Sequence, residues 1–282
     1  MKNVVIGCLI GDRYARHVTV SIFLRTIKQH ITDADIVLFC NEISEDTARW
    51  LTSQGVIVAQ VPQLNAYTIS FIRGLLYYTF LCEHHYENVL CTDVGDVLFQ
   101  ANPFAVDHND KFWFVAEGIP HGVETFNTGE YQKIRDYFQV EYDALGKHVV
   151  NSSIQYGPTK LAKHFVLLKY NTLTLTRAFQ HNITNQGILN YLYHNCFVFN
   201  PDFGLFTPDV DTFCCHGVCE EFAKLPPIPN CNPELDSRGI VFNTYNGKPY
   251  IMMHQWNRRL YWPNIIRHHT DIVNVTPDMN RP

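Results

Sequence analysis

The sequence predicts an α/β protein with a mostly parallel sheet flanked by helices, folded as a single domain. Its first half alternates short β-branched apolar runs with segments of helical spacing, and strands that alternate with helices form parallel βαβ units. Hydrophobic residues make up 46% of the 282 residues, which is enough to bury one large core. No repeat, charge block or linker rich in Pro, Gly or Ser divides the chain.

The first half supplies the scaffold of this sheet. Apolar runs closed by turn residues predict four strands, at residues 3–10, 35–40, 56–61 and 88–92. Helical spacing predicts helices over 15–30 and 68–81, and a third helix begins after Ser44, whose side chain can cap it ahead of early acids. Ligands of such sheets bind beyond the carboxyl ends of the strands, so the residues that follow each strand are the first candidates for function.

The second half is less regular. Residues 111–116 and 250–253 predict strands, and residues 184–193 predict a short helix. The stretch 201–237 carries many Pro, Asp and Cys residues, which predicts active-site loops rather than scaffold. Residues 261–282 carry no pattern that predicts an element.

Charge and composition argue against several classes of function. The formal net charge is −5 and Lys and Arg do not cluster, so we expect no nucleic-acid partner. The sequence has no run of about 18 apolar residues and no apolar signal-peptide core, so we expect a soluble, cytoplasmic protein without a membrane span.

Most of the nine cysteines lie in apolar runs, which indicates reduced thiols. A structural zinc site remains an alternative at one cluster, which contains Cys214, Cys215, His216 and Cys219, with Cys231 nearby.

Two aspartates follow the fourth predicted strand. Asp93 and Asp96 are three residues apart on a turn that contains Gly95, and the chain then returns to an apolar run. Mg²⁺ and Mn²⁺ prefer hard oxygen ligands, usually one or two carboxylates together with phosphate oxygens and water. Two acids at the carboxyl end of a buried strand therefore predict a Mn²⁺ or Mg²⁺ site, with an ordinary Asp-Gly turn as the alternative.

The segment from Asp93 to Phe104 resembles the metal motif of GT-A-fold glycosyltransferases, in the variant D-x-x-D-V-x-F-Q-x-x-P-F. The resemblance implies that Asp96 binds the metal directly and that Asp93 contacts the donor ribose or a water on the metal. It also implies one Rossmann-like, GT-A-type domain over the whole chain. The parts of that domain would be a nucleotide-sugar-binding half at 1–104, an acceptor and catalytic half at 105–260, and a C-terminal tail at 261–282.

Two further segments are similar to the same family. Residues 71–78 resemble the helix that precedes the metal motif, whose arginine commonly reaches the donor nucleotide, and this implies donor binding by Arg73. An unpaired buried charge is costly, so a salt-bridged or snorkelling arginine is the alternative. Farther along the chain, the resemblance makes His254 a third metal ligand, with a structural histidine as the alternative, and Arg258 a diphosphate contact.

Two blocks resemble the N-x-G-x-x-x-G and D-Q-x-x-L-N motifs that shape the sugar and acceptor pocket of the family, at residues 150–157 and 184–190. The first block places Asn151 at the donor. In some retaining relatives the side chain that matches Gln186 lies near the anomeric carbon. The sequence departs from the family at two positions, because Ser153 replaces a glycine and Asn185 replaces an aspartate. The second departure weakens any role for position 185 as a charged acceptor of a sugar hydroxyl.

The nucleotide base is predicted to lie along the end of the first strand. The backbone there would hold it, at Gly7, Cys8 and Leu9. Tyr14 is a candidate stacking partner, with an ordinary exposed turn tyrosine as the alternative.

The stereochemistry of transfer stays open at this stage. An inverting enzyme needs a carboxylate base within hydrogen-bond reach of the acceptor hydroxyl. The candidates are Glu117, Asp209 and Asp211, and a solvated loop acid is the alternative for each. A retaining enzyme needs no such base, and Gln186 would then be the residue nearest the chemistry.

The resemblance implies a metal-dependent enzyme that moves a sugar from a UDP-sugar to a hydroxyl of a glycan or glycoprotein acceptor. Glucose, galactose and xylose are all open as the sugar, and the sequence carries no signal for an oligomeric state. Two alternatives belong to other classes, namely a nucleotidyltransferase that makes a nucleotide-sugar and a non-catalytic carbohydrate- or metal-binding module. In its small size and lack of a membrane anchor, the sequence is similar to the transferases of bacteria and of large algal viruses. By this analogy, one interpretation is a virus-encoded protein that acts in the host cytoplasm.

Overall fold

A computed structural model describes residues 2–62, 66–107, 109–123, 125–207, 213–215, 233–256 and 262–269. Its strands are β1 (Asn3–Ile10), β2 (Ala34–Asn41), β3 (Val56–Gln60), β4 (Asn88–Thr92), β5 (Val97–Phe99), β6 (Phe112–Pro120), β7 (His148–Pro158), β8 (Phe203–Phe206), β9 (Phe213–Cys215), β10 (Pro233–Leu235), β11 (Val241–Asn243), β12 (Lys248–Pro249) and β13 (Met252–His254). Its helices are α1 (Asp12–Ala15), α2 (Val18–His30), α3 (Glu45–Ser53), α4 (Ala66–Glu83), α5 (Thr125–Phe138), α6 (Thr159–Leu175), α7 (Asn185–Asn195) and α8 (Trp262–His269).

Seven strands form the central sheet, in the order β3-β2-β1-β4-β7-β6-β8. β1 pairs in parallel with β2 and β4, β2 pairs in parallel with β3, and β6 pairs in parallel with β8. β7 pairs antiparallel with both of its neighbours. The predicted α/β class, with a mostly parallel sheet flanked by helices, is therefore confirmed. The sheet takes β1 to β4 from the first predicted half of the chain and β6 to β8 from the second.

Alternate residues of β1 enter two hydrophobic cores, because successive strand side chains point to opposite faces of a sheet. Val4 and Ile6 pack with side chains of α4, α6 and α7, whereas Val5 and Leu9 pack with side chains of α2 and α3. A strand buried on both faces needs a continuous apolar run, which is a strong local signal. The bounds of β1 and β4 accordingly coincide with the predicted strands at 3–10 and 88–92.

The helix predictions are confirmed with shifted bounds. The predicted helix 15–30 is observed as α2, which begins at Val18 after the short helix α1, and the predicted helix 68–81 extends to Ala66–Glu83. The Ser44 side chain accepts a hydrogen bond from the backbone N–H of Thr47 and caps α3 as expected. Thr184, the first residue of the predicted helix 184–193, is the N-cap of α7.

Among the elements that were not predicted from the sequence are β7, α5 and α6. β7 lies between β4 and β6 in the interior of the sheet, yet it contains Asn151, Ser153 and Gln155, all of which are buried. Polar residues interrupt the apolar run that a central strand normally shows. A central strand with buried polar side chains is also where a site is expected, because such groups are costly unless they are hydrogen-bonded.

The expectation that 201–237 consists of loops is wrong for part of that stretch. Residues 203–206 form β8 at the edge of the central sheet, and Phe203 and Phe206 pack into the two cores. The other described elements of the stretch are β9 and β10. In the predicted tail, α8 approaches α2, and Arg25 donates a hydrogen bond to the carbonyl oxygen of His269 at 2.6 Å.

Two small sheets complete the fold. β13 pairs antiparallel with β5 and in parallel with β9, while β10, β11 and β12 form an antiparallel sheet. The predicted strand 250–253 is thus observed as β13, displaced toward His254. Of the helices that the structure describes, none has both the length and the apolar character needed to cross a bilayer.

Candidate metal centre

Asp93 and Asp96 lie on the turn between β4 and β5. The backbone N–H of Asp93 donates to the carbonyl oxygen of Ser153 at 3.0 Å, which ties the start of the turn to β7. Gly95 has a φ of +92°, a left-handed conformation that side-chain-bearing residues rarely adopt. A Cβ at this position would lie 2.7 Å from the hydroxyl oxygen of Tyr14. The shape of the turn therefore requires a glycine between the two aspartates.

His254 is the last residue of β13, and the small sheet brings it to the aspartate turn. In the antiparallel pairing with β5, His254 lies opposite Val97, the residue after Asp96. The backbone N–H of Gln255 donates to the carbonyl oxygen of Asp96 at 2.7 Å. Gln255 has a φ of +59°, so the strand ends at this point. Strand pairing thus places the histidine beside residues that are distant in sequence.

The side chains of Asp93, Asp96 and His254 form a group that can hold one metal ion. One ligand atom from each residue lies within 4.8 Å of the other two. His254 Nε2 is 3.2 Å from Asp96 Oδ2 and 4.0 Å from Asp93 Oδ2. The exposed fraction of the side chain is 35% for Asp93, 19% for Asp96 and 2% for His254. The group is therefore anchored in the protein at the histidine and opens to solvent at Asp93.

The chemistry of these ligands fits a divalent cation. Carboxylates suit Mn²⁺ and Mg²⁺, and imidazole suits divalent transition metals. Asp96 Oδ1 is buried and has no hydrogen-bond partner among the residues that the structure describes. A buried carboxylate oxygen in that state is costly unless a cation binds it. This oxygen therefore favours a cation site over an ordinary Asp-Gly turn.

Arg73 reaches the candidate metal centre from α4. Its Nη1 donates to Asp93 Oδ1 at 2.9 Å and its Nη2 donates to the carbonyl oxygen of Ser152 at 3.1 Å. Ser153 Oγ donates to Asp93 Oδ2 at 2.6 Å. Burial by itself raises the pKa of Asp93, but the charges of Arg73 and His254 and the hydrogen bonds from Ser153 and Arg73 outweigh it, so the pKa is lowered. Asp93 is therefore an anion at neutral pH. Arg73 forms the salt bridge that its position on an apolar helix required, and its contact with a donor stays a prediction.

A buried polar network lies next to Ser152. Glu117, on β6, is 2% exposed, and its Oε1 accepts hydrogen bonds from Asn151 Nδ2 and Gln186 Nε2, both at 2.8 Å. Its Oε2 accepts from Asn127 Nδ2 at 3.2 Å, and Gln186 Nε2 also donates to Asn127 Oδ1 at 2.8 Å. On the other side of the amide, Gln186 Oε1 accepts from the backbone N–H and the hydroxyl of Ser152, at 3.3 and 3.4 Å. The structure thus brings together three residues that the sequence proposed separately, Glu117, Asn151 and Gln186.

Gly7, Cys8 and Leu9 are the residues predicted to hold the nucleotide base. They lie on β1 just after the point where β1 and β4 separate. The pairing of β4 with β1 ends at Ile6, whereas the pairing of β2 with β1 continues to Ile10. In the described part of the chain, one backbone edge of residues 7–10 therefore has no strand partner. A Cβ on Gly7 would lie 2.5 Å from the side chain of Val94, so the close approach of β1 to the aspartate turn requires glycine.

Tyr14 contacts the turn that carries Asp93 and Asp96. Its hydroxyl donates a hydrogen bond to the carbonyl oxygen of Val94, and its ring is half-buried. Tyr14 is therefore not an exposed turn residue, and it supports the loop that carries the two aspartates. Stacking of its ring on a nucleotide base stays a prediction.

The two departures from the family pattern make contacts of their own. The Ser153 hydroxyl binds Asp93, which a glycine could not do. Asn185 is buried, and its Nδ2 donates to the carbonyl oxygen of Ser70 on α4. Sequence reasoning did not identify Ser153 as a site residue, although its departure from the motif was the available signal. Asn127 gave no signal, because its helix α5 was not predicted.

Three predicted site residues lie outside the described residues, and they are Asp209, Asp211 and Arg258. Their roles as candidate bases and as a diphosphate contact stay predictions. Three members of the alternative zinc cluster, His216, Cys219 and Cys231, also lie outside the described residues. Its Cys214 and Cys215 belong to β9, where Cys215 lies opposite His254 in the pairing with β13.

A comparison with known protein families and with curated proteins found no match for this sequence. One fold of this class hosts many unrelated activities, so the fold by itself does not define the function. The function is therefore inferred from the geometry of the site.

Proposed function

We propose that this protein is a metal-dependent glycosyltransferase that uses a nucleotide-sugar donor. The observation that carries the proposal is the convergence of Asp93, Asp96 and His254 beyond the carboxyl end of β4. The sheet order places β2 and β4 on opposite sides of β1, so the strand order reverses between β1 and β4. Open α/β sheets bind ligands at such a reversal. The candidate metal centre therefore lies where a nucleotide is expected.

The metal centre would act on the leaving group of the donor. A divalent cation neutralises the charge that develops on a diphosphate as the bond to the sugar breaks. Asp96 and His254 would hold the cation, with Asp93 beside them at the more exposed side of the site. Arg73 and Ser153 each bind one oxygen of Asp93, so that carboxylate is held in a defined orientation. Asp93 is thereby preorganised to bind the donor or to share the cation.

The donor would lie along the unpaired edge of β1. A nucleotide base can accept or donate hydrogen bonds at backbone groups that no strand occupies, and residues 7–10 offer such groups next to the metal centre. We propose UDP as the nucleotide, on the strength of the resemblance in the metal motif, with glucose, galactose or xylose as the sugar. Arg258 is proposed to contact the diphosphate on the same ground.

The sugar and acceptor would occupy the side of the site that carries Gln186 and Asn151. Gln186 is partly exposed and bonds to Ser152, whose carbonyl oxygen binds Arg73. We propose a hydroxyl of a glycan or glycoprotein as the acceptor. The cytoplasm is the proposed compartment, because the described part of the chain contains five free thiols, Cys8, Cys40, Cys82, Cys91 and Cys196.

A thermal-unfolding series tests the proposal. The protein is melted alone, with UDP, with Mn²⁺, with both, and with both plus EDTA. A ligand at about 100 times its dissociation constant stabilises the folded state by about 2.7 kcal/mol, which is several degrees for a domain of this size. We expect the largest rise in Tm with UDP and Mn²⁺ together and its loss in EDTA. Release of UDP from UDP-glucose, UDP-galactose and UDP-xylose is then measured.

Each outcome points to one function. Metal-dependent release of UDP from one of the sugars supports a glycosyltransferase. A rise in Tm with UDP and Mn²⁺ but no turnover of any nucleotide-sugar supports a binding module or an inactive enzyme. A rise with UTP, together with formation of a nucleotide-sugar from a sugar phosphate, supports a nucleotidyltransferase. No effect of any nucleotide overturns the proposal.

A further inference from the structure

The side-chain amide of Gln186 has a forced orientation. An amide group has one end that donates hydrogen bonds and one end that accepts them. One end of Gln186 faces Glu117 Oε1 and Asn127 Oδ1, both at 2.8 Å. Both of these oxygens accept a hydrogen bond from Gln186 Nε2, so this end of the amide is the NH₂ group. The carbonyl oxygen must then point to the opposite side, where it contacts Ser152.

Glu117 also controls the orientation of the neighbouring amides. Asn151 and Asn127 each donate their NH₂ group to a different oxygen of Glu117. Because the Asn127 NH₂ group is directed to the carboxylate, its carbonyl oxygen is left to accept from Gln186. One carboxyl group that accepts at both oxygens therefore sets the direction of three amides.

The Oε1 side of Gln186 is linked to the candidate metal centre through two residues, Ser152 and Arg73. Ser152, which donates to Gln186 Oε1, accepts a hydrogen bond at its own carbonyl oxygen from Arg73, and Arg73 binds Asp93. Gln186 is partly exposed, whereas Glu117 and Asn127 are 2% and 1% exposed. The carboxylate therefore lies behind the amide and the amide lies at the surface of the site.

We propose that Glu117 is a positioning residue that directs the carbonyl oxygen of Gln186 to the reacting side of the site. This inference rests on the proposed function. An oxygen in that place provides a lone pair to the acceptor hydroxyl or to the positive charge that develops on the sugar during transfer. A general base would have to offer an oxygen to the acceptor hydroxyl. Both oxygens of Glu117 instead accept from buried amides, so Glu117 acts through Gln186.

A second carboxylate joins α5, the helix that carries Asn127, to α7, the helix that carries Gln186. Glu130, one turn after Asn127 on α5, accepts from the backbone N–H and the hydroxyl of Thr184, at 2.7 and 2.9 Å. Thr184 is the N-cap of α7, two residues before Gln186. The two helices are thus fixed to each other at the point where the amide network forms, so a substitution of Glu117 changes hydrogen-bond direction without separating the helices.

The substitution Glu117→Gln tests the proposal because it keeps the shape of the side chain and replaces one acceptor with a donor. That donor faces the NH₂ group of Asn127, Asn151 or Gln186, and relief of the clash reverses an amide. We expect kcat to fall by about 10- to 100-fold, as for a misplaced catalytic group, with little change in KM for the donor. The Mn²⁺- and UDP-dependent rise in Tm should remain. Glu141→Gln, at an exposed position, is the matched control and should leave kcat unchanged.

The pH profile separates a positioning role from a base. With Glu117 as a positioning residue, Glu117→Gln lowers kcat by the same factor at every pH and leaves the shape of the profile unchanged. If Glu117 is the general base, the acid limb of the profile disappears in this variant. Loss of that limb overturns the proposal, and so does an unchanged kcat.

A double-mutant cycle tests whether Glu117 acts through Gln186. In a Gln186→Ala background, Glu117→Gln should cause a much smaller further loss of kcat than in the unmodified protein, because the Gln186 amide that it orients is absent. Additive losses would show an independent role and would overturn the proposal. If Glu117→Gln fails to fold, Asn127→Ala replaces it in the same cycle, since Asn127 supplies the other acceptor for Gln186. If the unmodified protein does not bind UDP and Mn²⁺, that result contradicts the proposed function itself.

Discussion

The backbone N–H of Gln255 donates a hydrogen bond to the carbonyl oxygen of Asp96, at 2.7 Å. This bond joins the end of β13 to the turn that carries the two aspartates. The side chains of His254 and Asp96 face each other next to it. Backbone geometry on both segments therefore determines the separation of the candidate metal ligands. A metal centre built on paired strands is preorganised, so removal of one ligand should affect binding far more than folding.

Asp96→Asn should abolish the metal-dependent stabilisation by UDP. The substitution keeps the size of the side chain but removes the charge that holds a hard cation. We expect the additional rise in Tm caused by Mn²⁺ to disappear, while the Tm of the ligand-free protein changes by no more than a few degrees. Asp46→Asn, on the exposed side of α3, is the control and should keep the full rise. A full Mn²⁺ effect in Asp96→Asn would remove this residue from the metal site.

Tyr14→Phe should weaken metal binding without removing any ligand. The Tyr14 hydroxyl binds the carbonyl oxygen of Val94 inside the aspartate turn, and the substitution removes that bond. One hydrogen bond contributes about 0.5–1.5 kcal/mol, which corresponds to a two- to tenfold increase in the dissociation constant of Mn²⁺. Calorimetric titration with Mn²⁺ in the presence of UDP measures it. The control is Tyr245→Phe at an exposed loop position, and equal affinities in the two variants would contradict a role for Tyr14 in the turn.

Lys169→Met should stabilise the protein. Lys169 is 3% exposed on α6, with Nζ 5.1 Å from the centre of the Phe165 ring. Burial, with a smaller contribution from the charge of Arg73, lowers the pKa of Lys169 to about 7. Replacement of a buried charge by an apolar side chain of similar length commonly stabilises by about 1–4 kcal/mol, and we expect a gain in this range at pH 6.

The pH dependence of that gain has a defined sign. Between pH 7 and about 10.5 the unfolded chain binds the lysine proton and the folded protein does not, so the stability contributed by this site rises with pH. The advantage of Lys169→Met should therefore shrink across this interval. Urea unfolding of both proteins at pH 6 and pH 9 measures the difference. Lys160→Met, exposed on the same helix, is the control. A constant advantage at both pH values would contradict a titrating Lys169.

His194→Gln should reduce the loss of stability in acid. His194 is buried, and its Nε2 lies 3.0 Å from the carbonyl oxygen of His148. Burial, followed by the charge of His121, lowers the pKa of His194 to about 4 from an ordinary value of 6.5. The unfolded chain thus binds this proton first as the pH falls from 6.5 to 4, and the folded protein loses stability over that window. We expect the variant to lose less stability between pH 7 and pH 4.5, by an amount on the order of 2 kcal/mol.

The measurement for His194 is the free energy of unfolding in urea at both pH values. His85→Gln, at an exposed position on the same chain, controls for the removal of one imidazole and should follow the unmodified protein. An acid loss in His194→Gln equal to that of the unmodified protein would show that His194 does not titrate in this window.

The sequence was sufficient where the signal is local. β1 and β4 are continuous apolar runs because both of their faces are buried, and their bounds followed from the sequence. Asp93 and Asp96 were found in the same way, since three residues on one turn place both carboxylates at the end of one strand. The cap at Ser44 and the left-handed backbone at Gly95 are likewise local features.

The central strand β7 and the helix α5 could not be predicted, because their character depends on distant partners. β7 carries buried polar residues whose hydrogen-bond partners are distant in the chain, since Asn151 donates to Glu117 and Ser153 donates to Asp93. In the sequence such a strand lacks the alternation or the apolar run that identifies strands. The resemblance to known motifs marked Asn151 and Gln186 as site residues, but their common partner at Glu117 became visible only in three dimensions.

The sequence by itself determined the α/β class, the scaffold strands of the first half and the two aspartates, because hydrophobic burial and turn geometry act over a few residues. The resemblance to known motifs named His254, but only the tertiary structure decided how distant residues meet those aspartates. His254 reaches them through strand pairing, Ser153 through the insertion of β7 beside β4, and Gln186 through the packing of α7. Contacts between residues far apart in the chain form once the sheet has assembled, and no local pattern encodes the distances between them.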